Sequence, residues 1–446
     1  MNNLIIKEAK IINDGKIFEA DLIVENGFIT KVDTNLPNLN NYKEINALGK
    51  YLIPGIIDDQ VHFRDPGMNH KANIYTESKA AIAGGVTSFM DMPNTIPNSL
   101  TLDILEEKYN NASINSLANY SFYMGTSNDN VDEVIGLDPK SICGIKIFMG
   151  SSTGNMLVDN EKTLERFFAE SPVLVAIHSE EEYVIKSNLK KFIEKYGEDI
   201  PLSAHPEIRN EESCLKCTER AVGIANKTNG RLHILHLTTE DELKYFRNDI
   251  PIEEKRITSE ICAHHLYFDS NDYEQYGSLI KCNPAIKGPR HKKALFDAML
   301  DGRLDIIATD HAPHTWAEKN NNKYMQTPAG VPLVQHSLNI MLEFYHQGRI
   351  SLEKIIQKMC HDPARLFQVE KRGYIKEGFF ADFALLDLDT EWEVNKFNIH
   401  YKCAWSPFEG HKFKGIITDT FVNGHHAYRN GAFNESEKGS RLSFLR

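Results

Sequence analysis

Leu52-Ile53-Pro54-Gly55-Ile56-Ile57-Asp58-Asp59-Gln60-Val61-His62-Phe63 is an apolar run that ends on carboxylates, an amide and an imidazole. A short run of this kind, with turn residues at its borders, reads as a buried strand. Seven more runs follow it, at residues 87–92, 120–124, 145–149, 173–177, 232–237, 257–266 and 306–309. Polar residues interrupt the one at 257–266. Amphipathic stretches lie between most of them, as at 101–109, 161–170 and 292–300. Eight buried strands alternating with helices is the rhythm of a (β/α)₈ barrel. An open doubly wound sheet would show the same alternation.

The flanks have a different texture. Residues 4–35 alternate apolar and polar, with turns at Asn13-Asp14-Gly15 and Glu25-Asn26-Gly27, which reads as β-hairpins. Strand-like stretches return at 380–386 and 415–424. The expected architecture is a small β-sandwich built from both termini, residues 1–51 and 369–446, beside a catalytic barrel at 52–368.

Composition excludes several classes. Acidic residues outnumber basic ones, 62 to 50, for a net charge of -12. No basic run carries interleaved aromatics, so nucleic acid is not an expected partner. No apolar run approaches the ~18 residues of a membrane span. The opening Met1-Asn2-Asn3-Leu4-Ile5-Ile6-Lys7 lacks the basic start and long apolar core of a signal peptide. Seven scattered cysteines point to free thiols and a cytoplasmic location. Cys214 and Cys217 form a lone CxxC inside the helical stretch 210–226, which reads as two helical thiols.

Barrel enzymes place their working residues at the C-terminal ends of strands. Here those ends carry His62, Asn94, His178, His236, Asp310 and His314. Imidazoles and a carboxylate suit a zinc-like ion, and a catalytic ion keeps a position open for water. Lys146 stands inside an apolar run, where an unpaired ammonium is costly. It is either paired with a buried acid or converted by CO₂ to a carbamate that can bridge two ions.

Three motifs carry a resemblance: Gln60-Val61-His62-Phe63-Arg64-Asp65-Pro66-Gly67, Met92-Pro93-Asn94-Thr95 and Thr309-Asp310-His311-Ala312-Pro313-His314. With Gly373-Tyr374-Ile375-Lys376-Glu377-Gly378, they resemble the dihydroorotases, within the cyclic amidohydrolases, over nearly the whole chain. The resemblance implies a zinc enzyme with one or two ions per subunit. His62 and Asp310 would hold the first ion, His178 and His236 the second, and a carbamylated Lys146 would bridge them. Asp310 would also be the general base. Arg64, Asn94, Asn283, His314 and the backbone of Ala329 and Gly330 would contact substrate. His233, three residues before His236, reads as structural, and His264-His265 carry no forced metal role.

One departure stands out. The family pattern has histidine where this chain has Gln60, a weaker ligand for such an ion. Either Gln60 ligates through its amide oxygen or the first ion lacks a ligand. The implied reaction is the reversible cyclisation of N-carbamoyl-L-aspartate to L-dihydroorotate, in pyrimidine biosynthesis. Two rivals remain: another cyclic amidohydrolase (hydantoinase, dihydropyrimidinase or allantoinase), or a non-catalytic scaffold. A homodimer and an association with aspartate transcarbamoylase are further expectations of the family.

Overall fold

Gly55 divides the opening run in two. A Cβ there would lie 2.0 Å from Thr87 Oγ1, so the chain crosses beneath the next strand only without a side chain. Before the crossing, Tyr51–Pro54 joins a sheet built from both chain ends. After it, Ile56–Val61 begins the barrel. The computed structural model describes residues 3–150 and 155–446. Met1 and Asn2, the start of the segment read for a signal peptide, lie outside the described residues.

The barrel strands, in chain order, are β1 Ile56–Val61, β2 Val86–Asp91, β3 Asn119–Phe122, β4 Gly144–Phe148, β5 Leu174–His178, β6 Leu232–Ile234, β7 Ile257–Cys262 and β8 Ile306–Ala308. Neighbours pair in parallel throughout. The run that forms β3 continues as Met124–Gly125, which pairs with β4 and bridges the two parts of the sheet. A parallel bridge from Val61 to His311 closes the ring. This is the (β/α)₈ barrel of the sequence reading, and not the open sheet.

Helices wrap the ring for local reasons. In Glu161–Glu170, Asn160 caps the start by accepting from the backbone of Lys162 and Thr163. Leu164, Phe167 and Phe168 then fall on one face and are buried, each contributing about 1.5–3 kcal/mol. Cys214 and Cys217 lie on Glu211–Thr228 as free, buried thiols, as the sequence predicts.

Both chain ends meet in one nine-stranded sheet. Strand Leu4–Asn13 pairs with Lys16–Glu25, Lys43–Asn46 and Tyr51–Pro54, and the last of these pairs with Phe383–Glu393. The sheet closes over Leu4, Ile6, Leu22, Ile29, Phe383 and Phe421 as the small sandwich. Residues 439–446 leave it and lie along the barrel, with Tyr120 N donating to Ser440 O and Leu442 N to Tyr120 O.

Two apolar runs end sooner than their composition suggests. The run at 232–237 is strand only to Ile234, and the run at 257–266 turns at Cys262 into the helix Ala263–Tyr267. The period-two alternation that separated His233 from His236 therefore does not reach His236. No helix among the described residues is long and apolar enough to cross a membrane.

Candidate active site

Three of the strand-end residues stand in the left-handed region: Arg64 at φ 65°, His236 at φ 38° and Asp310 at φ 46°. Non-glycine residues pay to adopt that conformation, and such strain clusters at functional sites. Hydrogen bonds hold it in place. Asp91, at the end of β2 and paired with the buried Lys108, accepts from Phe63 N at 2.7 Å, which fixes the turn between His62 and Arg64. Glu260 on β7 accepts from His236 N at 3.0 Å.

These turns send side chains to one mouth of the barrel. His62, Asn94, Lys146, His178, His236, Asn283, Asp310, His314, Ala329, Gly330, Gln60 and Arg64 all line a single cavity of about 780 Å³. Every site residue named from the sequence therefore reaches the same place.

Neighbouring acceptors set the tautomers of His62 and His178. Asn94 Oδ1 lies 2.8 Å from His62 Nδ1, so Nδ1 carries the hydrogen and Nε2 keeps a lone pair. That lone pair points at Asp310 Oδ1, 3.1 Å away. Glu180 Oε2 lies 2.8 Å from His178 Nε2, which leaves Nδ1 of His178 facing His236 Nε2 at 3.1 Å. Burial pushes both His178 and His236 below the usual imidazole range, so both rings are neutral at pH 7. The lone pairs of His62 Nε2 and Asp310 Oδ1 repel unless a cation lies between them. The two neutral rings of His178 and His236 offer further nitrogen donors beside them. The donors present thus fit a zinc-class ion.

Glu180 is fully buried, which alone would raise its pKa. Arg209 and His178 overcome this and hold it down to about 2. Arg209 pairs with Glu180 and itself reaches the cavity. Lys146 is buried over the Phe148 ring, 4.9 Å away, with no carboxylate within salt-bridge distance among the described residues. Burial pushes its amine down to about 7. The buried lysine–acid pair considered from sequence is absent.

Gln60 departs from a ligand's posture. Its Nε2 donates to Asp310 Oδ1 at 3.3 Å, and its Oε1 accepts from Cys262 Sγ at 3.8 Å. Below it, inside the barrel, His233 bonds Thr258 and Glu260 at 2.9 and 3.2 Å, with Asp59 at 3.7 Å.

Arg64 is buried at 8 % exposure and forms no ion pair among the described residues. Its Nε donates to Pro313 O at 3.2 Å and its Nη2 lies 3.3 Å from His314 Nε2. The neighbouring Asp65 accepts from Asn69 Nδ2 and Ile74 N and makes no salt bridge to Arg64. Lys71 Nζ, 3.0 Å from His314 Nδ1, can only donate, so Nε2 of His314 carries the hydrogen and donates to Ala329 O at 3.0 Å. Burial, with Arg64, Lys319 and Lys71 nearby, keeps this ring neutral. Asn283 Oδ1 is buried without a partner among the described residues. Gly330 sits at φ 142°, and a Cβ there would meet Ala312 O at 2.4 Å.

Lys71 and Arg209 are cavity residues that sequence reasoning missed. Neither stands at a strand end. Lys71 lies seven positions beyond Arg64, and no spacing rule marks Arg209.

Residues 51–426 match the model of the Amidohydrolase family. A dihydroorotase of Halobacterium salinarum is 31% identical over 91% of this chain and 92% of its own length. One from Pyrococcus abyssi is 30% identical over 93% and 92%. Among solved structures, the L-hydantoinase (dihydropyrimidinase) of Arthrobacter aurescens superposes with a TM-score of 0.93 over 99% of this chain and all of that one. At 24% identity that likeness speaks for the fold alone. The family match and the relatives agree over nearly the whole chain, so this chain belongs to the amidohydrolase family, and within it to the dihydroorotases.

Proposed function

We propose that this chain catalyses the reversible ring closure of N-carbamoyl-L-aspartate to L-dihydroorotate. The observation that carries the reading is Arg64. A guanidinium buried at the cavity wall without a carboxylate partner is poised for an anion on the ligand. Dihydroorotate carries such a carboxylate; hydantoin and dihydrouracil rings do not. Asn94, Asn283 and His314 stand beside it, with Ala329 and Gly330 offering backbone groups to the ring.

His178, His236 and Lys146 would hold one ion, and His62 and Asp310 another, with zinc as the expected metal. The near-neutral amine of Lys146 suits capture of CO₂ as a carbamate. When bound, such ions acidify water and polarise a carbonyl. In ring opening, Asp310 takes the proton of the attacking water and delivers it to the ring nitrogen as the C–N bond breaks. Ring closure runs the same proton in reverse. Gln60 keeps Asp310 aligned through its amide hydrogen, and Glu180 holds His178 in the tautomer that leaves Nδ1 free.

Turnover of dihydroorotate, measured beside dihydrouracil, hydantoin and allantoin, tests the proposal. Preference for dihydroorotate is expected. Turnover of only the other three would assign the site to a different cyclic amide, and no turnover with bound metal at trace levels would favour a scaffold.

A further inference from the structure

We propose that Cys262, His264 and His265 form a second metal site, distinct from the cavity donors, that takes a zinc-class cation. β7 ends at Cys262 and the helix Ala263–Tyr267 begins at once, which brings the three side chains together. One ligand atom from each lies within 4.8 Å of the others. All three residues are buried, at 0, 1 and 4 % exposure. The two rings pack with centroids 4.0 Å apart.

The rings lack the bonds that a packing role would supply. Among the described residues, neither nitrogen of His264 has a hydrogen-bond partner, and Nδ1 of His265 has none. Buried polar atoms left in that state are rare and costly. Nε2 of His265 lies 3.3 Å from Pro284 O, so it carries the hydrogen and Nδ1 keeps the lone pair. A thiol and two neutral imidazole nitrogens are a borderline-soft donor set, suited to zinc and its analogues. The five residues that would hold the catalytic ions contain no sulfur.

Binding would exchange one proton for one bond. The Cys262 S–H bond breaks, the proton leaves to solvent and the thiolate bonds the cation. Cys262 Sγ is the donor to Gln60 Oε1, and Gln60 in turn bonds Asp310. The site therefore lies behind the cavity wall at Gln60, whose side chain separates Cys262 from Asp310.

Cobalt(II) tests this in the full-length chain, stripped of metal under reducing conditions and reloaded. A thiolate-to-cobalt charge-transfer band in the near ultraviolet is expected. The band should vanish in Cys262→Ser, and a whole equivalent of bound metal should go with it. It should persist in Cys282→Ser, whose Sγ lies on the Nε2 side of His265, and in a His178→Ala, His236→Ala double variant. Absence of the band in the unsubstituted, folded chain would overturn the proposal. So would its survival in Cys262→Ser or its loss in Cys282→Ser alone. Should Cys262→Ser fail to fold, His264→Gln serves in its place: the bound equivalent should be lost, and full retention counts against the site.

Discussion

His62 and His178 present their lone pairs by different means, and the difference has consequences. An amide oxygen, Asn94 Oδ1, holds His62, whereas a carboxylate backed by Arg209 holds His178. Glu180 titrates at about 2 in the fold against an ordinary 4.5. A carboxylate with a depressed folded pKa stabilises the fold in full above its unfolded value and loses that contribution as pH falls through the folded one. Glu180→Gln should therefore lower the melting temperature of the metal-stripped protein at neutral pH. The gap from the parent should narrow below about pH 4.5 and close near pH 2. A gap that stays constant over that range would show that Glu180 is not ionised in the fold. Arg64 supports a second expectation. Lysine keeps the charge but loses the planar fork, and hydrogen bonds to a charged group are worth about 1.5–3 kcal/mol. Arg64→Lys should raise KM for dihydroorotate about 10- to 100-fold, measured by steady-state kinetics. An unchanged KM would place the substrate carboxylate elsewhere.

At the scale of elements, strand ends deliver the metal-binding side chains, but a loop delivers the groups meant for the ring. The loop around Ala329 and Gly330 has no regular structure of its own to stiffen it. Two buried lysines do so. Lys281 Nζ donates to Tyr324 O and Thr327 O, at 2.6 and 2.7 Å. Lys319 Nζ donates to Lys281 O and Pro328 O, at 2.7 and 3.1 Å. Burial pushes their amines down to about 8 and about 7. Removing one cinch should loosen the loop while leaving the barrel intact. Lys319→Met is expected to raise KM with a smaller change in kcat, and to speed backbone hydrogen exchange in residues 327–331. Protection equal to the parent's there would show that the loop is held by other contacts. Ala329 and Gly330 were legible as a loop by resemblance, but the lysines that hold it were not. Each bonds backbone carbonyls of segments distant in sequence, which its own neighbours do not announce.

Across the whole molecule, the final residues tie the terminal sheet to the barrel. Leu442 and Phe444 are buried against Tyr123 and Phe367, and Arg446 donates to the backbone oxygens of Ile142, Cys143 and Phe367. Each buried apolar side chain is worth about 1.5–3 kcal/mol. Truncation after Lys438 should accordingly destabilise the protein by about two such increments, plus the loss of the Arg446 hydrogen bonds, read as a lower denaturant midpoint. A midpoint unchanged within error would mean that the tail adds nothing to the barrel. Composition does not announce this strap. Ser440-Arg441-Leu442-Ser443-Phe444 looks like any polar terminus with two apolar residues, and its partner strand β3 lies more than 300 positions earlier.

By itself, the sequence determined the alternation of eight strands with helices, the strand-rich ends and the motif residues at strand ends. Closure into a barrel rather than an open sheet rests on the bridge from Val61 to His311. Strand rhythm is a local property, and motifs such as Thr309-Asp310-His311-Ala312-Pro313-His314 place chemistry at strand ends without reference to the rest of the chain. Only the tertiary structure decided what those residues face. Gln60 turns its amide nitrogen to Asp310, Arg64 is left without a carboxylate, and Cys262 meets His264 and His265 where a strand stops earlier than its apolar run. Such outcomes depend on distances between segments far apart in the chain, and local periodicity carries no information about them.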